Sequence, residues 1–467
     1  MSLLLNALNA STVKTENGDA AYASTYSKVL DFFYKAAASR DKNLVPDFEA
    51  SLAESKELTL RVMLWLRDAR EGAGERQTFK NLLNYVATQH PSLAVPLVHK
   101  IPELGRYDDF LCLWGTELEG LAVALWLRGM SEENALAFKW APRKDRKGAK
   151  PLRTACGLTE QLWRKLVVSG SDTVEQKLCA RDFESINFEQ VPSVAMARYS
   201  KSLTKNSKSF DTYKKLLESG EAKVNAGAIF PHDIVKSVKQ GNTETANAQW
   251  ASLPNYLEGS KYKNILPVVD VSGSMNTKVS GSTTAMDVAI SLGIYVSERA
   301  EGFFKDAFLT FSETPKLQIL KGDLRSRITQ LDRAEWGYNT NIRRVFSTLL
   351  SAAVQHNVPA HEMPDLILIP SDMQFDRGCT GTGHLVEARR NFEAAGYKVP
   401  DLVYWNMDVR EGSIPTTVAE PGTAIVSGFS PSLLKGVLSG NTDPIDTMLR
   451  IIGVERYSIS KKVLARN

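Results

Sequence analysis

Paired cysteines, clustered histidines and long apolar runs are all missing from this chain. Cys112, Cys156, Cys179 and Cys379 form no Cys-x-x-Cys pair, and the six histidines are scattered. That excludes a zinc-finger spacing and a disulfide framework. It suits a reducing compartment, so a cytoplasmic protein is expected. No apolar run approaches the roughly 20 residues of a membrane span. Met1-Ser2-Leu3-Leu4-Leu5-Asn6 is apolar for too few residues, and lacks the basic leader, to read as a signal peptide. There is no Walker loop, no His-Glu-x-x-His and no nucleophile beside a base, so no catalytic constellation emerges and a non-enzymatic protein is expected. The net charge of +4 is mild. Any affinity for nucleic acid must then come from how the charge is distributed.

What is present is an ordinary globular composition over 467 residues, enough for two or three domains. Residues 1–20 are polar and read as an extended arm. From Tyr22 to Trp250 nearly every segment reads as helix. Tyr26–Ala38, Leu58–Arg70, Gln77–Thr88, Gly120–Leu127, Glu160–Val168, Pro192–Leu203 and Phe210–Ser219 carry apolar residues at i, i+3, i+4 spacing. Helices this short and numerous suggest a solenoid of stacked pairs, although no clean period is visible. Ala222–Ala228 and Pro231–Val235 read as one more helical turn. Asn242–Tyr256 reads as a linker, with Trp250 and Tyr256 packed. The assigned units are an arm at 1–20, a helical-repeat domain at 21–260, an α/β domain at 261–440 and a helical tail at 441–467.

The stretch that organises the α/β part is Val268-Val269-Asp270-Val271-Ser272-Gly273-Ser274. Ile265–Val269 is short, apolar and branched, which suits a strand buried on both faces. A helix over Thr283–Ala300 follows. A strand, a loop of hydroxyls and a carboxylate, then a helix is how open α/β sheets place a site at the carboxyl ends of their strands. Asp270 offers a charged carboxylate, and Ser272 and Ser274 offer small oxygen donors, a set that suits a hard cation such as Mg2+. The plain alternative is a strand-to-helix turn with a serine cap. Two later segments add to it. Thr340 lies in the loop Gly337-Tyr338-Asn339-Thr340-Asn341, between helices expected over Asp323–Ala334 and Ile342–Gln355. The strand Asp365–Pro370 ends in Ser371-Asp372. Phe308–Phe311, Lys316–Leu320, Leu402–Trp405 and Ala424–Ser427 complete a mostly parallel sheet. Helices at His384–Ala395 and Ser432–Leu438 cover it.

Two stretches are basic. Lys139 to Arg153 contains Lys139, Arg143, Lys144, Arg146, Lys147 and Lys150 against Asp145 alone. Arg198 to Lys215 contains Lys201, Lys205 and Lys208, with Tyr199, Phe210 and Tyr213 interleaved. Cations with aromatic neighbours suit a phosphate backbone with stacked bases, and a solvated surface charge run is the alternative. His232 is a further RNA-contact candidate, although a histidine at a helix start is more often structural.

Two resemblances follow from these residues. Asp270, Ser272, Ser274, Thr340 and Asp372, in that order, resemble the metal-ion-dependent adhesion site of von Willebrand factor A domains. The resemblance implies direct ligation by Ser272, Ser274 and Thr340, with Asp270 and Asp372 acting through water. Asn341 and Met373 depart from the family, which often carries Asp and Gly there. The segments Arg67-Asp68-Ala69-Arg70-Glu71-Gly72-Ala73-Gly74-Glu75-Arg76, Gly105-Arg106-Tyr107-Asp108-Asp109, Lys139-Trp140-Ala141-Pro142-Arg143 and Val191-Pro192-Ser193 are similar to the TROVE module of Ro ribonucleoproteins. The bacterial and phage branch is the nearest, and the likeness runs from about Thr25 to Ser430.

Together they imply a multidomain α and α/β protein: a HEAT-like helical ring, then a doubly wound, Rossmann-like von Willebrand A domain. By resemblance such a protein is a monomer that binds small structured noncoding RNA and takes single-stranded 3′ ends of misfolded RNA. A protein or exoribonuclease would offer an acidic side chain at the Mg2+ site. The competing expectation is a metal-dependent protein-interaction scaffold with no RNA function. A metal-dependent hydrolase is a third reading.

Overall fold

The computed structural model describes residues 12–17, 20–39, 42–143, 148–310, 315–332, 341–375, 382–410, 414–418, 420–440 and 442–460. Of the expected arm, residues 1–11, 18 and 19 lie outside the described residues. β1 (Thr12–Lys14) pairs antiparallel with β2 (Ala20–Tyr22). The helix Lys28–Ala36 follows, capped by Ser27 Oγ, which accepts from Leu30 N–H. Phe32, Phe33 and Tyr34 on this helix are wholly buried.

The helical part is built from pairs. Val45–Glu54 packs on Lys56–Arg67, and Gln77–Gln89 packs on Pro91–Leu104. Ser55 alone separates the first two helices. Its extended backbone turns the chain while its hydroxyl caps the second helix at Leu58 N–H. Two of these helices, Val45–Glu54 and Pro91–Leu104, escaped the sequence pattern. In the second, Pro96 and Pro102 sit inside the helix, where proline usually marks a boundary. Helices continue through Glu119–Ser131, Glu160–Gly170, Ser193–Asn206, Lys208–Ser219 and Pro231–Lys239. Residues 222–228 are not helical, contrary to expectation. The expected linker is the helix Thr243–Ala251, with Trp250 buried and its Nε1–H donated to Glu298 at 2.8 Å.

The second half is an open α/β sheet. β3 (Ile265–Val269) is buried along its length. The short β4 (Lys278–Ser280) and β5 (Thr283–Thr284) form a separate ribbon behind it. The helix Ala285–Arg299 then starts from a capping box of Thr284 and Asp287. Its Gly293 lets it lie close on the sheet, since a Cβ there would meet Phe308 at 2.4 Å and Val269 at 2.7 Å. β6 (Ala307–Thr310), β7 (Leu317–Ile319), β8 (Leu366–Ser371), β9 (Asp401–Asn406) and β10 (Thr423–Ser427) complete the sheet in the order β10-β9-β8-β3-β6-β7. Only β7 runs antiparallel. The chain steps from β3 to one side, then returns to build β8, β9 and β10 on the other. Parallel crossovers are right-handed as a rule, so stepping in both directions puts helices on both faces and the sheet is doubly wound. The reversal lies between β3 and β8.

The two halves share one core. The helix Lys28–Ala36 packs on β10, and Tyr34 Oη accepts from Asn406 Nδ2 at 2.9 Å. The helix Pro444–Ile452 lies between β10 and Lys56–Arg67, so the C-terminal segment packs on helix and sheet together. No helix among the described residues is long and apolar enough to cross a membrane.

Candidate metal centre and nucleic-acid interface

Strand register brings Asp270 and Asp372 together. β3 and β8 are hydrogen-bonded neighbours, and each carboxylate follows the last residues of its strand. Both are fully buried. Asp270 Oδ1 accepts from Ser272 N–H at 2.9 Å, and Asp270 Oδ2 accepts from Ser371 Oγ–H at 2.5 Å. Ser371 Oγ also accepts from Met373 N–H at 2.9 Å, so one hydroxyl ties the two strand ends. Ser272 Oγ and Ser274 Oγ are 3.0 Å apart. Gln374 N–H donates to Asp372 Oδ1 at 3.3 Å, but Asp372 Oδ2 is buried without a hydrogen bond. Burial first, and then the nearby Asp270 carboxylate, push the Asp372 pKa up to about 7, against the lowering influence of Ser274 and Arg410.

Two buried carboxylates, one of them with an oxygen that makes no hydrogen bond, and two converging hydroxyls fit a small hard cation, because every donor is oxygen. Among the described residues no three His, Cys, Asp or Glu side chains converge as a ligand set. The centre therefore resembles neither a zinc site nor a calcium cage of carboxylates. Thr340 lies outside the described residues. Asn341 caps the helix Ile342–His356, its Oδ1 accepting from Arg344 N–H at 3.1 Å. Met373 has φ of 61°, the left-handed conformation that favours glycine.

Three neighbours of this centre carry no sequence signal. Arg410 Nη2 lies 3.7 Å from Asp372 Oδ2 and 3.3 Å from Ser274 O. Its Nε donates to Asp408 at 2.8 Å. Gln374, fully buried, meets the N-terminal segment, as does Arg410 through Glu16. Only the tertiary fold brings residues 16, 374 and 410 together.

The basic stretches separate by environment. Arg143, Lys150, Lys201, Lys205 and Lys208 are exposed. Lys144, Arg146 and Lys147 lie outside the described residues. Lys139 is paired with Glu175 at 3.0 Å. His232 is 6% exposed and packed between Phe230 and Phe429, so its ring faces protein rather than solvent. Two of the three interleaved aromatics are not stacking platforms, while Tyr199 is half-buried at the edge of the same cluster. Phe210 and Tyr213 are buried with Phe188, Met196 and Leu203 in a second core. Tyr213 Oη–H donates to Lys223 O at 2.7 Å. The cations on Ser193–Asn206 and Lys208–Ser219 therefore stand on a surface to which Phe210 and Tyr213 present no ring.

Three of the four segments that carry the TROVE-like resemblance interlock. Arg67 Nε donates to Asp109 Oδ2 at 2.6 Å, and Lys80 Nζ lies 3.4 Å from Asp109 Oδ1. Arg76 pairs with Asp108. The Arg106 guanidinium stacks 3.9 Å over the Trp140 ring. Asp68 receives Arg456 Nε–H at 2.5 Å and the Tyr457 hydroxyl at 3.0 Å. These motif residues hold the fold together.

Two families match in sequence, both described as domains of unknown function. DUF2828 matches residues 15–104 and 158–261, and DUF7788 matches residues 264–455. Uncharacterized protein L728 of Acanthamoeba polyphaga mimivirus is 27% identical over 504 residues, spanning 94% of this chain and 86% of that protein. The crystal structure of the Deinococcus radiodurans RO (RSR) protein superposes with a TM-score of 0.47 at 15% identity, over 92% of this chain and all of that one. That likeness is too loose to bear on function.

Proposed function

We propose that this chain is a non-enzymatic RNA-binding protein of the Ro type, with a Mg2+ site at the β3–β8 switch point that takes an acidic group from a partner. The observation that carries the RNA half is the set of exposed cations on and before the paired helices Ser193–Asn206 and Lys208–Ser219, alongside the TROVE-like segments of the sequence. The metal half rests on the paired buried carboxylates and their hydroxyls. When bound, the ion would supply a positive centre for a ligand carboxylate. Ser272 and Ser274 would hold it, and Asp270 and Asp372 would neutralise it. Asp270 is itself oriented by Ser272 N–H and Ser371 Oγ–H.

The test is a titration of a labelled RNA hairpin with a single-stranded 3′ tail, across a salt series, with and without chelator. Five phosphate contacts give a log–log salt slope of about −3.5 on single strands to about −4.5 on duplex. Reversing Lys201, Lys205 and Lys208 to Glu should flatten that slope by about 2 to 3. Salt-steep, chelator-insensitive binding that needs the tail supports the reading. Absence of binding to this RNA and to bulk cellular RNA rejects it and leaves a metal-dependent protein scaffold. Sustained RNA turnover lost on Asp270→Ala would instead indicate a hydrolase.

A further inference from the structure

The N-terminal segment does more than pack. Thr15 Oγ1–H donates to Phe375 O at 3.0 Å, Glu16 N–H to Gln374 Oε1 at 2.6 Å and Asn17 Nδ2–H to Gln374 O at 2.6 Å. The segment is thus fastened to the backbone and side chains just past Asp372. The fastening ends in an ion pair, Glu16 Oε2 to Arg410 Nη1 at 2.8 Å. Each nitrogen of Arg410 has a separate task. Nε is held by Asp408. Nη2 faces the metal centre through Ser274 O, Thr277 Oγ1 and Asp372. Nη1 carries Glu16, whose side chain is 56% exposed. A carboxylate at Nη1 is therefore exchangeable, whereas Asp408 and the Ser274 loop fix the guanidinium in place.

We propose that Arg410 is an anion subsite built against the metal centre, that Glu16 is its resident occupant, and that the centre takes an acidic peptide which displaces Glu16. The inference rests on the metal reading and names the partner class for it. The ligand must carry at least two carboxylates, one for the ion and one for Arg410. A single acetate-like group would satisfy only the first. Because binding and displacement are linked, loosening the Glu16 segment must tighten the peptide, and the peptide must loosen the segment.

The probe is labelled hexaglutamate, with hexaserine as control, added to full-length chain at saturating Mg2+. Peptide affinity is read by anisotropy. Segment release is read as tryptic cleavage after the exposed Lys14, by mass spectrometry of the released end. In the unaltered protein, hexaglutamate binds only with Mg2+ and speeds Lys14 cleavage by about fivefold or more. In Glu16→Gln, Lys14 is cut rapidly without peptide, and hexaglutamate binds about fivefold tighter. Arg410→Lys, which keeps the charge but not the fork, binds it more weakly than the unaltered protein does. Mg2+-dependent binding with unchanged Lys14 cleavage and unchanged affinity in Glu16→Gln overturns the Arg410 subsite and leaves the metal centre standing. No Mg2+-dependent binding in either the unaltered protein or Glu16→Gln overturns both.

Discussion

Replacing Asp109 by Ala tests the claim that the signature segments act as one buried electrostatic joint. Asp109 is fully buried, and its Oδ2 accepts from Arg67 Nε–H at 2.6 Å and from Arg106 N–H at 2.9 Å. The Arg67 side chain is only 4% exposed. Without Asp109 its guanidinium stays buried with no carboxylate beside it. Removing one partner of such a pair costs about 3–5 kcal/mol, whereas an exposed pair contributes about 0–1 kcal/mol. Domains are stable by about 5–15 kcal/mol, so the variant should sit near the edge of folding. Urea unfolding followed by tryptophan fluorescence reads the loss. The double variant Arg67→Met/Asp109→Leu should recover most of it, because neither charge is then left buried. A loss below about 1 kcal/mol for Asp109→Ala, or a double variant no better than the single, would refute this reasoning.

Met373→Gly relieves a left-handed backbone worth about 1–2 kcal/mol. It also removes a side chain that is 1% exposed, where truncation of Met costs about 2–5 kcal/mol. Burial wins, so the variant should be less stable, and a higher melting temperature would contradict that balance. For Asp68, burial alone would raise the pKa, but the hydrogen bonds from Arg456, Arg70 N–H and Tyr457 together hold it below the ordinary carboxylate value. Its folded pKa is below its unfolded one. The stability it contributes is present above about pH 4 and is lost as pH falls through the folded value. Asp68→Asn should therefore lower stability at neutral pH and shrink the difference from the unaltered protein in acid, as read by urea midpoints across a pH series. Asn341→Ala removes the cap at Arg344 N–H and should cost about 1 kcal/mol, measured the same way.

Much of the α/β half was legible because its signals are local. β3 matches the expected Ile265–Val269 run residue for residue, and β8 is shifted by one residue from Asp365–Pro370. Asp270 and Asp372 could be paired in advance because each follows a strand in a sheet whose sites lie at strand ends. Arg410, Gln374 and Glu16 could not, since their meeting depends on the path of the N-terminal segment over the sheet. Phe210 and Tyr213 misled for a related reason. Aromatics between lysines fit either an exposed stacking face or an amphipathic helix with its rings inward, and burial against Phe188 decided for the second. Lys28–Ala36 was visible as a helix. Its partner β10 lies far along the chain, and a helix apolar on most sides records only that it is buried. The Arg67–Asp109 pair joins two motifs that looked separate because their link is spatial.

The most direct test of the site is a calorimetric titration of Mg2+ into chelator-stripped full-length protein, beside Asp270→Asn and Asp372→Asn. One ion bound per chain, with both variants silent and all three proteins equally folded by circular dichroism, is the predicted result. No heat in the unaltered protein, or equal binding in all three, would contradict a metal centre at the β3–β8 switch point.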